Sequence, residues 1–150
     1  MIKNGGYLTM QIRLLNGRVF NRILSADREA LYSAEQGKIL SCLWARAPMT
    51  ATDLAIATGL ANNTLTSMLR KLEEQNLIKS YTHPKDKRKK FFELTEIGES
   101  QRSVGMRVSK KLDEIFYKGF SKEEITKLEG YMERILENLK EAEQRYIKEY

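Results

Sequence analysis

The sequence TATDLAIATGLANNTLTSMLRKLEEQ, residues 50–75, carries the strongest structural signal in the chain. Thr50 can cap a helix over residues 51–58, because its hydroxyl can accept a hydrogen bond from a first-turn amide. Gly59 ends that helix, since glycine readily adopts the left-handed conformation that reverses the chain. A second helix is predicted over residues 62–75, with apolar side chains on one face and polar side chains on the other. Two such helices joined by a tight turn are typical of a helix-turn-helix.

The residues that follow predict a β-hairpin with a basic tip, which we call the wing. Residues 77–82 (LIKSYT) and 91–94 (FFEL) alternate with a period of about two, as strands do. Between them, residues 83–90 (HPKDKRKK) hold five cations and one anion, a composition too polar to bury. The sequence therefore predicts two short strands joined by an exposed loop over residues 83–90.

Two amphipathic helices are predicted before this region. Apolar residues recur every three or four positions over residues 8–24. A second, strongly apolar helix begins at Ser33 or Ala34 and is bounded by Pro48. The chain contains only two prolines, which favours a mainly helical fold.

Two further helices are predicted after the wing. Thr95 predicts the start of a long helix that ends near Tyr117. Residues 121–124, Ser-Lys-Glu-Glu, form a capping-box signature at the start of the last helix. This helix has an apolar stripe at alternating spacings of three and four residues, over three heptads: Ile125, Leu128, Met132, Ile135, Leu139, Ala142 and Tyr146.

The charge distribution favours a polyanionic partner. The chain has a net charge of +6 and a pI near 9.4. Residues 1–95 carry 15 basic and 8 acidic side chains, whereas the rest of the chain is nearly neutral. No apolar run approaches the ~20 residues of a membrane span, so we expect a cytoplasmic protein that does not interact with membranes.

The sequence contains no pattern typical of an enzyme or of a cofactor or metal site. Gly-rich phosphate loops and His-centred triads are absent. One His and one Cys argue against a His/Cys metal site, and His83 is interpreted as a loop or phosphate-contact residue. Cys42 lies in an apolar stretch, which favours a buried, unreactive thiol.

The second helix of the helix-turn-helix has a polar face that suits base edges and phosphates. The major groove of DNA is about 12 Å wide and admits one helix, whose apolar face can stay in the protein core. The candidate DNA-binding residues on this helix are Asn62, Asn63, Thr64, Thr66, Ser67 and Arg70. An ordinary solvated helix face has a similar composition, so this segment alone leaves both interpretations open.

The basic wing favours the DNA-binding interpretation. Its cations can reach phosphates at a flanking minor groove, where narrow A·T-rich DNA attracts arginine. Asp86 can accept hydrogen bonds from Arg88 or from turn amides and so hold the guanidinium in position. The candidate wing residues are Lys85, Asp86, Lys87, Arg88, Lys89 and Lys90.

These residues resemble the multiple-antibiotic-resistance regulator (MarR) family. In that family, Asp-x-Arg followed by Leu-Thr-x-x-Gly marks the wing and the start of the next helix, and residues 86–98 here are DKRKKFFELTEIG. The resemblance covers the chain in element order and length, and it also includes Thr64-Leu65-Thr66, Leu69, Leu72 and Leu77-Ile78. It implies a homodimeric winged-helix transcription regulator, usually a repressor, whose hold on DNA is often relieved by a small molecule or by oxidation.

The resemblance also assigns roles to individual residues. Asp86 and Arg88 take the wing positions, and Thr64, Thr66 and Ser67 take groove-facing positions on the recognition helix. Many family members have Arg where this chain has Ser67, so a guanine contact there is not carried over.

The apolar stripes of the outer helices predict a homodimer. Intramolecular packing is the commoner use of such a stripe, but a winged helix alone does not need two long helices after its wing. Pairing across a two-fold axis would bury the stripes and hold two recognition helices about 34–36 Å apart, which predicts a pseudo-palindromic site. The candidate dimer residues are Ile12, Leu15, Ile125, Leu128, Met132, Ile135, Leu139 and Tyr146.

The predicted fold is mainly α with a small β-hairpin: a winged helix-turn-helix with long N- and C-terminal dimerisation helices. Residues 1–32 form the N-terminal dimerisation helix, 33–95 the DNA-binding lobe and 96–150 the C-terminal dimerisation helices. The predicted function is a homodimeric, sequence-specific DNA-binding regulator, a repressor released by a small-molecule effector. The alternative is a winged-helix protein-interaction or assembly module without specific DNA binding.

Overall fold

The computed structural model of the protein describes residues 1–149, and Tyr150, the last residue of the predicted C-terminal segment, lies outside them. The elements follow the order α1 (Gly5–Ala26), α2 (Ala34–Ala45), β1 (Met49–Thr50), α3 (Ala51–Thr58), α4 (Asn62–Glu74), β2 (Ile78–His83), β3 (Asp86–Leu94), α5 (Glu96–Ser100), α6 (Arg102–Phe116) and α7 (Lys122–Glu149). The predicted fold class is confirmed: the protein is mainly helical, with a small antiparallel sheet.

The chain divides into two compact units. The first runs from Met1 to Leu112 and contains the helix-turn-helix and the sheet, and the second begins at Asp113 and contains α7. The buried apolar residues all belong to the first unit. In the part of the chain that the structure describes, no helix combines the length and apolar character needed to cross a membrane.

The predicted helix starts are confirmed by their caps. Thr50 Oγ1 accepts from Asp53 N at 3.1 Å, and Thr50 N donates to the Asp53 carboxylate at 3.1 Å. Ser33 and Ser121 cap α2 and α7 through reciprocal bonds of the same kind. Such capping boxes satisfy donors that a helix N-terminus otherwise leaves free. Gly59 ends α3 at φ 72°, in the predicted left-handed conformation.

The sheet has one strand more than predicted. Its order is β1-β3-β2, and β1 pairs with β3 through Met49 opposite Phe92 and Thr50 opposite Phe91. A strand of two residues is too short to show an alternating pattern, so sequence periodicity could not find it. Its consequence is to join the start of α3 to the middle of the wing.

The predicted loop over residues 83–90 is wrong. The turn is only Pro84–Lys85, and β3 begins at Asp86. The register pairs residues 78–82 with 94–90, then shifts so that His83 pairs with Asp86. Residues 87–89 therefore lie opposite no partner residue of β2, which is a bulge inside the strand.

The predicted single helix from Thr95 to Tyr117 is also wrong, because it is interrupted at Gln101. Gln101 N donates to the carbonyl of Gly98, three residues back, so one turn tightens as in a 3₁₀-helix. The side chain of Gln101 bonds to backbone groups 70 and 72 positions earlier in the chain. Helical periodicity does not register contacts of that kind.

The core lies between α2, the helix-turn-helix and the sheet. Leu54 of α3, Leu65 and Leu72 of α4 and Phe92 of β3 are buried together with residues of α2 and α6. The prediction that Cys42 is buried is wrong, since its side chain is half-buried at the edge of this core. Burial raises the pKa of the Cys42 thiol, which favours the protonated form.

Candidate nucleic-acid interface

Helix α4 places its apolar and polar side chains on opposite faces, as the sequence predicts. Leu65, Leu69 and Leu72 are buried against the core. All six predicted DNA-contact residues are exposed: Asn62, Asn63, Thr64, Thr66, Ser67 and Arg70. The packing of the leucines therefore fixes the direction in which the polar face points.

Local hydrogen bonds leave this polar face with free donors and acceptors. Asn63 Oδ1 accepts from Thr64 N at 2.9 Å. This bond uses the side-chain oxygen of Asn63 and leaves its two side-chain N–H groups available. Thr66 Oγ1 donates to Asn62 O at 2.8 Å, which leaves its oxygen lone pairs and its methyl group available. Within residues 1–149, Arg70 forms no ion pair.

The start of α4 differs from the starts of α2, α3, α5 and α7. Those helices are capped by a Ser or Thr hydroxyl. At α4 the cap residue is Ala61, which provides no side-chain acceptor. Thr64 N is bonded to Asn63 Oδ1, whereas first-turn amides without such a partner can bond to water or to a phosphate oxygen, and the helix dipole favours an anion there.

The predicted contact between Asp86 and Arg88 in the wing is confirmed. Asp86 Oδ1 accepts from Arg88 N and from Arg88 Nε, each at 3.1 Å. These N–H groups hold the pKa of the Asp86 carboxyl below its ordinary value, so it remains an anion at neutral pH. The Arg88 side chain is 91% exposed. Asp86 therefore fixes one side of a guanidinium whose other donors face solvent.

The wing cations are not equivalent. Lys87, Arg88 and Lys89 occupy the bulge in β3 and are exposed. Lys90 instead lies with its Nζ 5.5 Å from the centre of the Phe92 ring and 4.0 Å from a carboxylate oxygen of Glu73 in α4. Lys87, Lys89 and the remaining donors of Arg88 can thus meet an anion, whereas Lys90 lies near a carboxylate of the recognition helix.

An aromatic cluster on the wing was missed by the sequence analysis. The rings of Tyr81 and Phe91 stack with centres 5.6 Å apart, and the ring of His83 lies 5.7 Å from Phe91. The strand register places Tyr81 directly opposite Phe91, so the stacked pair can be predicted only when the register of the hairpin is known. His83 Nδ1 accepts from Lys85 N at 3.1 Å. The three rings therefore form one set of contacts across β2 and β3.

The base of the wing is held by the residues of the Leu-Thr-x-x-Gly pattern. Thr95 Oγ1 donates to Asn76 O at 2.7 Å and accepts from Gly98 N at 3.0 Å. The carbonyl of Gly98 accepts from Trp44 Nε1 at 3.0 Å. The pattern therefore connects β3 and α5 to the end of α4 and to α2. These bonds fix the position of the wing relative to the recognition helix.

A groove of about 510 Å³ separates the start of α3 from the wing strand. It is lined by Thr50, Ala51, Thr52, Asp53, Arg88, Lys89, Lys90 and Phe91. The sequence alone did not indicate that α3 belongs to this site, because only the pairing of β1 with β3 brings its first turn beside the wing cations. In the described residues, no group of three or more His, Cys, Asp and Glu side chains is arranged to hold a metal ion.

The predicted dimer residues form apolar stripes on the single chain. On α1, Ile12 and Leu15 are exposed. On α7, Ile125 and Leu128 are half-buried. The remaining four are exposed: Met132, Ile135, Leu139 and Tyr146. In one copy of the chain, α7 has no buried residue, so most of these apolar side chains are exposed to water.

Two comparisons with known proteins bear on this chain. Residues 32–90, which span α2, the helix-turn-helix and the wing turn, match the model of the MarR family. No curated protein matches the sequence.

Solved structures share the fold over most of the chain. A mutant MarR of E. coli complexed with operator DNA has a TM-score of 0.76 and 24% identity, covering 87% of this chain and 92% of its own. The S. aureus MepR–DNA complex has a TM-score of 0.78 and 24% identity, over 89% and 96%. BpsR of Bordetella bronchiseptica, whose DNA binding is regulated by 6-hydroxynicotinic acid, has a TM-score of 0.76 and 16% identity, over 89% and 98%.

Proposed function

We propose that this chain, whose residues 32–90 match the model of the MarR family, is a member of that family and a homodimeric DNA-binding regulator of transcription. The observation that carries the proposal is the pairing of two features: an exposed polar face on α4 and an exposed Arg88 guanidinium fixed by Asp86. Two structural relatives, a mutant MarR complexed with operator DNA and MepR complexed with DNA, support the proposal. The role is binding rather than catalysis, in the prokaryotic cytoplasm where the DNA lies.

The groove-facing side chains favour A·T base pairs. Residues 62–68, the first two turns of α4, contain amides, hydroxyls and apolar groups but no charged side chain. The Asn amide can pair with the N6 and N7 positions of adenine, and a Thr methyl can pack on the methyl of thymine, whereas guanine is usually contacted by Arg or Lys. Arg70 and Arg88 then serve for phosphates, or for the narrow minor groove of A·T-rich DNA.

The dimer supplies symmetry and spacing. An apolar stripe that faces water on one copy can be buried by the same stripe on a second copy, related by a two-fold axis. Two α4 helices held in this way would enter successive major grooves on one side of the duplex, about 34–36 Å apart. The operator is therefore expected to be a pseudo-palindrome with A·T-rich half-sites.

The proposed mode of control is repression relieved by a small-molecule effector. BpsR, a structural relative, is regulated by an aromatic acid. An effector can act on this protein only if it binds one arrangement of the two DNA-binding lobes of the dimer better than another arrangement. A ligand with equal affinity for both arrangements does not shift the equilibrium between them.

Selection of bound sequences from a random duplex pool tests the function directly. We expect enriched sequences that have two-fold symmetry, half-site centres about 10 base pairs apart and A·T pairs at the positions that face α4. Enrichment without symmetry would contradict the paired recognition helices. No enrichment over the starting pool would reject sequence-specific binding and leave the protein-interaction module as the better interpretation.

Arg88→Ala is expected to weaken DNA binding while the dimer remains intact. The side chain is fixed by Asp86 and exposed, so its loss removes a groove contact that contributes about 1–3 kcal/mol. Fluorescence anisotropy with the selected duplex measures the change. Lys38→Ala is the matched control, because it removes an exposed cation of α2 that is paired with Glu35. Equal affinities for the Arg88 variant and the wild type would favour an assembly role.

A further inference from the structure

Two side chains of one helical region hold the connection between α1 and α2. Arg107 of α6 bonds to both carboxylate oxygens of Asp27, with Nε 2.9 Å from Oδ2 and Nη2 3.0 Å from Oδ1. The Asp27 side chain is only 7% exposed. Arg107 also lies 3.6 Å from a carboxylate oxygen of Glu29. The ion pair is thus bidentate, and its acidic partner is almost fully withdrawn from water.

Gln101 bonds to the same connection a few residues further on. Its Oε1 accepts from Leu31 N at 2.8 Å, and its Nε2 donates to Glu29 O at 3.1 Å. Gln101 is 4% exposed and lies at the tightened turn between α5 and α6. A buried amide with both of its polar ends bonded to backbone replaces the water that a surface loop would bind, so the connection is held rigidly.

Local helix chemistry does not account for Asp27. The residue follows the last turn of α1, where the helix dipole disfavours an anion. Asp27 Oδ1 accepts from Glu29 N at 3.0 Å, a local bond that an asparagine could also make. The hydrogen bonds from Arg107 hold the pKa of the Asp27 carboxyl below its ordinary value, so the charged pair persists at neutral pH.

The connection links the helix that carries part of the proposed dimer surface to the winged helix that is proposed to bind DNA. On one side is α1, which carries Ile12 and Leu15 of the proposed dimer surface, and on the other is α2, which is buried in the core of the winged helix. We infer that Arg107 and Gln101 are positioning residues that hold the winged helix at a fixed place relative to α1, and so set the half-site spacing that the dimer accepts. This inference rests on the proposed function.

The test measures spacing preference rather than affinity alone. Wild type and Arg107→Gln are titrated with the selected duplex and with duplexes in which one base pair is inserted or deleted between the half-sites. In the wild type, we expect a sharp preference for the selected spacing. In Arg107→Gln, the ratio of affinities between selected and altered spacings is expected to fall by about 2- to 30-fold, the range found when a coupling network is altered.

Two further variants make the result specific. Arg102→Gln is the matched control, since it breaks an exposed ion pair with Glu99 in the same helical region and should leave the spacing preference unchanged. Asp27→Asn keeps the local acceptor but loses the charge, so it should reproduce the effect of Arg107→Gln even if that variant folds poorly. An unchanged spacing ratio in both Asp27→Asn and Arg107→Gln would overturn the inference.

A measurement without DNA separates this inference from the proposed function. Spin labels at Ser67→Cys in a Cys42→Ser background report the distance between the two α4 helices of a dimer. We expect a narrow distance distribution that broadens in Arg107→Gln and stays narrow in Arg102→Gln. Equal widths in the wild type and Arg107→Gln would overturn the inference. If the wild type binds no duplex but the distribution still broadens in Arg107→Gln, only the DNA-binding function is rejected.

Discussion

Gly98→Ala is expected to destabilise the winged helix by about 3 kcal/mol or more, because it forces an atom into occupied space. A Cβ at this position would overlap the carbonyl oxygen of Leu77 and lie 3.3 Å from Leu94 Cδ2. The obstacle is backbone at the point where β2 begins, so rotation of a side chain cannot relieve the overlap. Urea unfolding followed by circular dichroism measures the loss.

The bonds around Gly98 explain why the effect should be large. Its N–H donates to Thr95 Oγ1 and its carbonyl accepts from Trp44 Nε1. Any shift of the α5 backbone away from Leu77 stretches both bonds, and each buried group that loses its partner costs about 1–3 kcal/mol. Steric relief is therefore obtained only at the expense of the contacts that hold the wing.

Gly130→Ala is the control for this experiment. A Cβ at Gly130 meets no atom within 4 Å, and the residue lies in the middle of α7. Alanine is favoured over glycine in a helix by about 1 kcal/mol, so this variant should be slightly more stable than the wild type. If Gly98→Ala unfolds at the same urea concentration as Gly130→Ala, the junction between the wing and α5 is not the tight contact described above.

Local chemistry explains which parts of the fold were predictable from sequence. The caps at Thr50, Thr95 and Ser121 and the left-handed Gly59 depend on residues within three or four positions, and all were predicted. The interruption at Gln101 was not found, since it depends on bonds to backbone 70 and 72 positions away. Strand β1 was missed for another reason: two residues are too few to carry a period.

In the candidate interface too, features that depend on neighbouring residues were predictable from sequence, and features that depend on distant residues were not. Helical periodicity alone places the polar side chains of α4 opposite its buried leucines, and the Asp86–Arg88 contact spans only two positions. The contact of Lys90 with Glu73 and the aromatic stack on Tyr81 depend on strand register and on the packing of α4 against β2. A run of five cations in a sequence therefore does not show which of them has a neighbouring carboxylate, as Arg88 and Lys90 do.

Ile135→Glu combined with Leu139→Glu is expected to dissociate the proposed dimer and abolish operator binding. Ile135 and Leu139 are 55% and 62% exposed on the single chain, so the charges should cost the folded subunit little. Across a two-fold axis each charge occurs twice within an apolar seam, where an unpaired buried charge costs several kcal/mol. Sedimentation velocity measures the association state, and anisotropy measures the loss of affinity.

The same introduced charge at a different position provides the control. Gln144→Glu changes an exposed residue of α7 that lies outside the apolar stripe, so the dimer and its DNA affinity should be retained. If the double variant remains dimeric, the stripe is not the subunit interface. If it becomes monomeric and still binds the operator with wild-type affinity, one α4 is sufficient and operator symmetry has no structural basis. Loss of both properties together would mean that binding requires two recognition helices held at one spacing.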